Sequence, residues 1–256
     1  MKIALITPID LLDLAALSDY HLLLPQLFLN KRYREFYDDV PGFKILDNGA
    51  NEDFVTDFRE LQDIAHAWSV DEIVVPDILG DCNATIDLAR SFEKYAQPND
   101  FRYVGVAQGR TLSEVVKCIT YFEHNEWVST LALPRVLNTI HKTQRFNLIE
   151  PIAKEYRFDA IHCLGASSWI REVVAIDALG IVRGMDTSLP VVLGLDGRSL
   201  ADDQYIKRQS GYFDRVVERG SYTWKVIFDN VHRYMDWAGA SVSGGPESLL
   251  EEGRED

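Results

Sequence analysis

Short apolar runs of β-prone residues recur along the chain, and segments with the spacing of amphipathic helices separate most of them. The runs predict eight strands: Lys2–Thr7, Phe43–Asp47, Glu72–Asp77, Arg102–Gln108, Val128–Leu133, Asp159–Leu164, Ile181–Asp186 and Val191–Leu195. The intervening segments predict helices at Phe54–Trp68, Asn83–Tyr95, Leu112–His124, Arg145–Tyr156 and Trp169–Leu179. Strands that alternate with helices in this way indicate a parallel sheet.

The unbroken run Ile73-Val74-Val75 is typical of a strand buried on both faces, as in a doubly wound sheet or a closed barrel. No Gly-x-Gly-x-x-Gly follows the first strand and no Walker A pattern is present, so the doubly wound nucleotide-binding folds lose their usual signature. We therefore predict an α/β fold, a (β/α)8 TIM-like barrel. Only a few residues separate the last two runs, so one of them can be a loop.

A single barrel domain is predicted over residues 1–237. Residues 10–41 are too many for a simple connection after the first strand, and we expect them to form an inserted helical lid. Residues 204–237 predict one or two C-terminal amphipathic helices. Residues 238–256 are rich in Ser, Gly and Glu, which predicts an acidic disordered tail.

The 256 residues include 26 Lys and Arg against 40 Asp and Glu, a formal net charge of −14. Surfaces that coat nucleic acid are normally basic, so this balance argues against a broad one. No apolar stretch reaches the roughly 18 residues of a membrane span. Three widely spaced cysteines support neither a disulfide framework nor a metal knuckle. We expect a cytoplasmic protein, in the host cytoplasm if phage-encoded, without cofactor or metal.

Active sites of (β/α) barrels lie at the carboxyl ends of the strands, so the polar residues that end each run are the informative ones. These residues are Asp47, Asp77, Gln108, Gly165 and Asp186. We expect three carboxylates and an amide to converge at one mouth of the barrel.

Each of these positions also has a plain structural explanation. Asp47-Asn48-Gly49 fits a turn, because Asn-Gly adopts positive φ at low cost. Asp77 and Asp186 can each cap the element that follows. His162 and Cys163 lie within a predicted strand, where packed core is the expected environment rather than metal ligation.

Four motifs, taken together, resemble those of the tRNA-guanine transglycosylases. Ile45–Ala50 (ILDNGA) looks like their Asp-Ser-Gly-Gly-type motif, and Gly105–Gly109 (GVAQG) is similar to their Gly-Ile-Val-Gln-Gly motif. Leu164-Gly165 resembles the glycine loop that follows, and Asp186–Pro190 (DTSLP) occupies the place of their catalytic Asp. The order and spacing of all four agree.

Two departures point to one branch of that family. Enzymes that act on tRNA carry a Cys-x-Cys-x-x-Cys zinc site, which the cysteines here cannot form, and we expect no RNA-binding appendage after the predicted barrel. The motifs Asp-Asn-Gly-Ala and Asp-Thr-Ser-x-Pro are also closer to those of the DpdA-type enzymes of phages and bacteria, which insert 7-deazaguanines into DNA. The resemblance therefore implies a DNA-guanine transglycosylase, a pentosyltransferase.

The resemblance also implies a role for each motif residue. Asp186 would be the nucleophile that forms a glycosyl-aspartate, and Asp47 the general acid and base or the group that orients the nucleophile. Asp77 lies outside the four motifs, but guanine presents two donors on one edge, N1–H and the 2-amino group, which its carboxylate can accept. Residues that would address the rest of the base are Gln108, Gly109, Leu164 and Gly165.

The implied partners are DNA, at guanine sites, and a free 7-deazaguanine base such as 7-cyano-7-deazaguanine. Six cations are predicted to contact nucleic acid on the active face: Lys31, Arg32, Arg34, Arg110, Arg135 and Arg198. Each also fits a solvated loop cation. The sequence leaves open whether a helper protein gives access to the duplex.

Other interpretations stay open. One is a transglycosylase-like enzyme that acts on RNA. A metal-dependent barrel hydrolase would need a His-x-His early in the chain, whereas the six histidines are scattered. A sugar glycosidase would suit Asp47 and Asp186, but Asp77 with Gln108 resembles a reader of bases more than a sugar clamp. The acidic composition also suits a non-catalytic binding homologue.

Overall fold

The computed structural model of the protein describes residues 1–50, 57–96, 101–140, 144–166, 170–200 and 208–240. Eight parallel strands alternate with helices and curl into a nearly closed barrel, which confirms the predicted (β/α)8 TIM-like fold class. The strands are β1 (Lys2–Leu5), β2 (Tyr20–Leu23), β3 (Phe43–Leu46), β4 (Glu72–Val74), β5 (Arg102–Val106), β6 (Val128–Pro134), β7 (Ala160–Leu164) and β8 (Val182–Thr187).

The strands follow one another around the barrel in chain order, from β2 to β8, and β8 then pairs with β1. In the described residues, β1 and β2 lie side by side without a ladder of hydrogen bonds, so the barrel stays open at this seam. Because all strands are parallel, their carboxyl ends meet at one end of the barrel.

Helices surround the sheet, and five of them lie where the sequence predicts them. These are α3 (Phe58–Ala67), α4 (Cys82–Glu93), α5 (Leu112–Glu123), α6 (Phe146–Glu155) and α7 (Ile170–Leu179). Local capping fixes where they begin: Asp81 accepts from the backbone N–H of Ala84 at the start of α4, and Thr111 forms a capping box with Glu114 at the start of α5. The predicted helix ends at Phe54 and Trp169 lie outside the described residues.

The segment 10–41 belongs to the barrel itself and is not an inserted lid. It contains β2, which pairs with β3 so that Tyr20 lies opposite Phe43. Helices α1 (Leu12–Ala15) and α2 (Lys31–Asp39) flank this strand. β2 has only four residues, and its neighbours on both sides are also rich in leucine, so hydrophobicity alone does not separate the strand from them.

The last predicted strand, Val191–Leu195, is wrong, because these residues lie in the helix α8 (Leu189–Leu195). Periodicity does not distinguish a short, wholly apolar helix from a buried strand. Almost every residue of α8 is buried, because α8 is packed closely against α9 (Tyr222–Trp237). α9 confirms the predicted C-terminal helix. Residues 241–256 of the predicted tail lie outside the described residues.

Two apolar clusters hold the barrel and its helices together. One joins β1, β6, β7 and β8 to the last two helices, and the other packs β3, β4 and β5 against α2, α3 and α4. The second is rich in aromatic rings, with Trp68 edge-on to Tyr33 and Tyr37. Among the described helices, none is both long and apolar enough to cross a membrane.

A substitution in α8 tests its close packing on α9. Alanine in place of a helical glycine ordinarily stabilises a protein by up to about 1 kcal/mol. A Cβ at Gly194, however, would lie 2.6 Å from Cα and 2.8 Å from the backbone nitrogen of Ile227, and backbone atoms cannot move aside. We expect Gly194→Ala to destabilise the fold by about 1–3 kcal/mol in urea denaturation. A gain in stability would contradict the packing of these two helices.

Candidate active site at the carboxyl end of the barrel

A cavity of about 1000 Å³ opens at the carboxyl ends of the strands. Seven residues that the sequence predicts as catalytic or substrate-binding line it: Asp47, Asp77, Gln108, Gly109, Leu164, Gly165 and Asp186. They follow or end five different strands, from β3 to β8, and the closure of the barrel brings them together. The predicted convergence of three carboxylates and an amide is therefore present in the structure.

Asp186 is held by one of its two carboxylate oxygens. Its Oδ1 accepts a hydrogen bond of 2.8 Å from the backbone N–H of Gly165 and lies 3.3 Å from Nε2 of His162. Gly165 has φ of +70°, a backbone conformation that residues other than glycine rarely adopt. This turn after β7 aims the N–H of Gly165 at Asp186.

Asp77 is nearly buried between two amide side chains. Nδ2 of Asn48 donates to its Oδ1 over 2.6 Å, and Nε2 of Gln108 donates to its Oδ2. Burial raises the pKa of the Asp77 carboxyl above its ordinary value, and the two amide hydrogen bonds oppose that rise. Both neighbours are neutral, so neither amide compensates a negative charge on Asp77.

Gln108 holds Asp77 and does not reach openly into the cavity. While Nε2 donates to Asp77, its Oε1 accepts from the backbone N–H of Gly80 over 2.9 Å, and the side chain is 1% exposed. In the structure both ends of the Gln108 amide are engaged by the protein, and its predicted contact with the base stays a prediction. Gly109 has a packing role as well, since a Cβ there would lie 2.8 Å from Cβ of Glu114.

Asp47-Asn48-Gly49 is a turn and also part of the site. Gly49 has φ of +76°, and the backbone N–H of Ala50 donates to Oδ1 of Asn48 over 2.9 Å. The turn directs the Asn48 amide onto Asp77 and leaves Asp47 half-buried at the cavity. The two interpretations of this motif are thus compatible.

The six predicted nucleic-acid cations are not all at the cavity. Arg110 and Arg135 line it, whereas of the described lining residues none belongs to α2, which carries Lys31, Arg32 and Arg34. Lys31 and Arg32 pair with acidic side chains, Glu35 at 3.5 Å and Asp10 at 3.2 Å respectively. Arg198 follows α8, outside the lining, and lies 3.9 Å from Asp196. Four of the six, Lys31, Arg32, Arg34 and Arg198, therefore do not line the cavity, and contact of the six with nucleic acid stays a prediction.

No protein-family model matches this sequence, and no curated protein matches it.

Histidine and cysteine side chains do not assemble a metal centre in the described part of the chain. No three His, Cys, Asp or Glu side chains there are arranged to hold an ion. Cys163 is fully buried, and burial raises the pKa of its thiol to about 11. His162 is fully buried too, as expected of core, but it also contacts Asp186.

Several residues of the site have no counterpart among the sequence predictions. Arg208 lines the cavity. Tyr20 contacts His162, but the sequence does not predict β2 and therefore does not indicate Tyr20. The Asn48 amide was within reach of sequence analysis, since it directly follows Asp47 at the end of a strand. Arg145 and Glu172 form a buried pair, yet 27 positions separate them and neither ends a strand.

The Arg145–Glu172 pair supports the turn that carries Gly165. Nη1 of Arg145 donates to the backbone carbonyls of Leu133 (2.9 Å) and Leu164 (3.1 Å), which belong to β6 and β7. Nε of the same guanidinium lies 3.1 Å from Oε1 of Glu172. Both side chains are almost completely buried, so the pair holds two strand ends together beside the cavity.

Removal of one partner of this pair tests its structural role. We expect Glu172→Ala to destabilise the fold by about 3–5 kcal/mol, because it leaves the Arg145 charge buried without its carboxylate. Chemical denaturation measures the loss. The matched control is Glu150→Ala, which breaks the exposed pair with Lys154 (2.7 Å) and should leave the unfolding free energy nearly unchanged. Equal effects of the two variants would contradict the role assigned to Glu172.

Proposed function

We propose that this barrel exchanges guanine in DNA for a 7-deazaguanine through a covalent glycosyl-aspartate. The observation that carries the proposal is the convergence of Asp47, Asp77 and Asp186 on one cavity, with the backbone N–H of Gly165 beside them. Asp47, Gly165 and Asp186 lie in motifs at which the sequence resembles the guanine transglycosylases, and Asp77 ends a predicted strand between them. The resemblance concerns residue types, and the shared cavity gives those types a common place to act.

Asp186 is suited to act as the nucleophile. The backbone N–H of Gly165 and Nε2 of His162 lie next to its Oδ1, and its side chain reaches the cavity, so Oδ2 would attack C1′ of a deoxyguanosine. The C1′–N9 bond breaks as the bond from Oδ2 to C1′ forms, and its electron pair leaves with the guanine. A base that departs as an anion needs a proton.

Asp47 would handle that proton. In its protonated form it would donate to the departing guanine, and as a carboxylate it would then take the N9 proton of the incoming 7-deazaguanine. N9 of that base attacks C1′ and releases Asp186, so the proton count and the charge return to their starting values. The cycle needs no nucleotide triphosphate, because one N-glycosidic bond replaces another.

Recognition of the base would fall to Asp77. Guanine and 7-deazaguanines present two donors on one edge, N1–H and the 2-amino group, and a carboxylate can accept both. Asn48 and Gln108 hold the carboxylate in place while leaving each oxygen a further lone pair. Adenine lacks the 2-amino group and would leave part of a buried charge unpaired, which provides a reason for its rejection.

Nucleic-acid contacts would come from the rim of the cavity. Arg110, Arg135 and Arg208 lie among its lining residues and can meet the phosphates next to a base that has left the helical stack. The choice of DNA over RNA depends on the sequence resemblance alone. The test of the proposal therefore includes both nucleic acids.

The decisive experiment measures base exchange directly. Purified protein is incubated with guanine-containing DNA and 7-cyano-7-deazaguanine, and the digested nucleosides are analysed by mass spectrometry. We expect the modified deoxynucleoside from the wild type and a loss on the order of 10³-fold or more from Asp186→Asn, because the amide is a poor nucleophile. The wild type should also form a covalent protein–DNA adduct that is visible on a denaturing gel, and Asp186→Asn should not form it.

The matched control is Asp87→Asn, which changes an exposed aspartate on α4 that pairs with Arg90. This variant should keep full activity. Exchange into tRNA but never into DNA would refute the choice of DNA, and full activity of Asp186→Asn would remove the proposed nucleophile.

Binding of the free base should depend on pH through Asp77. Only the ionised carboxylate accepts two N–H donors, and burial raises the pKa of Asp77, so affinity should fall as the pH drops from neutral toward that raised pKa. We expect Asp77→Asn to weaken binding of 7-cyano-7-deazaguanine about 10- to 100-fold at neutral pH and to flatten its pH dependence.

Calorimetric titration at several pH values measures both effects, with Asp87→Asn as the control that keeps the wild-type slope. Unchanged affinity in Asp77→Asn would contradict the assigned role of Asp77.

A further inference from the structure

A chain of hydrogen bonds runs through the barrel interior to Asp186. Nε2 of His162 lies 3.3 Å from Oδ1 of Asp186, and Nδ1 of the same ring lies 2.9 Å from the hydroxyl of Tyr20. That hydroxyl accepts from Nε of Arg183 over 3.3 Å. The guanidinium of Arg183 in turn forms a bidentate ion pair with Glu72, with Nη1 2.8 Å from Oε1 and Nη2 in contact with Oε2.

The chemistry of these groups fixes the direction of every bond in the chain. A guanidinium has donors and no acceptor, so Arg183 must donate to the oxygen of Tyr20. Burial raises the pKa of the Tyr20 hydroxyl, so the hydroxyl keeps its proton. Among the described residues, the other hydrogen-bond partner of that hydroxyl is Nδ1 of His162, so Tyr20 donates to it.

This direction determines the tautomer of His162. A nitrogen that accepts from Tyr20 carries no proton, so the proton of the neutral ring is on Nε2. Nε2 faces the carboxylate of Asp186 and donates to Oδ1. With the N–H of Gly165, Oδ1 then accepts two hydrogen bonds, while Oδ2 has no hydrogen bond to any described residue.

We propose that His162 is a positioning residue for Asp186: Arg183 and Tyr20 fix its Nε2–H tautomer, and this N–H holds Oδ1 so that Oδ2 is presented to the cavity. The role of Asp186 as nucleophile rests on the proposed function, whereas the tautomer of His162 does not. His162 touches no substrate in this scheme and acts through Asp186.

The end of this hydrogen-bond chain farthest from Asp186 is held in place by burial and close packing. Glu72 is completely buried at the start of β4, and Oγ1 of Thr130 donates to its Oε1 over 2.8 Å. The ring of Tyr20 stacks on Phe43 with centroids 5.6 Å apart. The ring also passes so close to Gly184 that a Cβ at that position would collide with it. The hydroxyl that faces His162 therefore has little freedom to move.

Tyr20→Phe is the sharpest test, because it removes the hydroxyl and keeps the ring in its packed position. We expect kcat for base exchange to fall about 10- to 100-fold with KM for the free base unchanged, since orientation of the nucleophile is lost and the base-binding residues are not touched. The matched control is Tyr103→Phe, which removes another buried tyrosine hydroxyl, one that accepts from Gln62, and should keep the wild-type kcat.

A spectroscopic readout separates this inference from the proposed function. Proton–nitrogen correlation NMR of the ¹⁵N-labelled protein should show His162 protonated at Nε2 and unprotonated at Nδ1, and the shift of Nδ1 should change in Tyr20→Phe but not in Tyr103→Phe. A His162 protonated at Nδ1, or at both nitrogens, overturns the inference whether or not the protein exchanges bases. The expected tautomer in a protein that exchanges no bases contradicts the proposed function alone.

A conservative substitution distinguishes positioning from packing. The side chain of His162→Gln can place an N–H donor near the position of Nε2, whereas His162→Leu fills similar space without one. We expect the Gln variant to retain at least about 10-fold more exchange activity than the Leu variant. Equal activities in two folded variants would mean that His162 serves packing alone, and the inference would fail.

Discussion

A charge buried inside a barrel needs a partner, and this requirement shapes the interior of the protein from end to end. Glu72 lies at the start of β4, where Arg183 and Thr130 surround its carboxylate. Arg145 and Glu172 satisfy each other beside the ends of β6 and β7. An unpaired ion at such places would cost several kcal/mol, so each pair restricts the strands that supply it to one arrangement.

Two carboxylates at the cavity, those of Asp77 and Asp186, have hydrogen-bond donors rather than ionic partners. Asp77 is held by the neutral amides of Asn48 and Gln108, and Asp186 by a backbone N–H and an imidazole. Neutral donors orient a carboxylate without neutralising it, and each carboxylate keeps lone pairs for a further partner. Glu72, Arg183, Arg145 and Glu172 are not among the described residues that line the cavity, whereas Asp77 and Asp186 line it with partly satisfied negative charge that a ligand can complete.

Local sequence patterns explain which residues of the site could be predicted from the sequence. Asp47, Asp77 and Asp186 were predictable because each follows a clear apolar run, and parallel strands must end on one side. Tyr20 was not, since its four-residue strand is set among other leucine-rich segments, and α8 was mistaken for a strand because burial on all sides removes any periodicity. Partners such as Arg145 and Glu172 are joined by the closure of the barrel rather than by spacing, so no local pattern indicates them.

Charge placement limits how the proposed reaction could engage DNA. The net charge of −14 opposes approach of a polyanion, and Lys31 and Arg32 on α2 already face acidic side chains. Among the described residues, the cations that line the cavity are Arg110, Arg135 and Arg208, so phosphate contacts would be few and close to the reacting nucleotide. Few contacts release few counterions, which implies weak binding with a shallow dependence on salt. Such binding would suit the proposed enzyme, which handles one base briefly, and it would leave selectivity to the proposed recognition of guanine by Asp77.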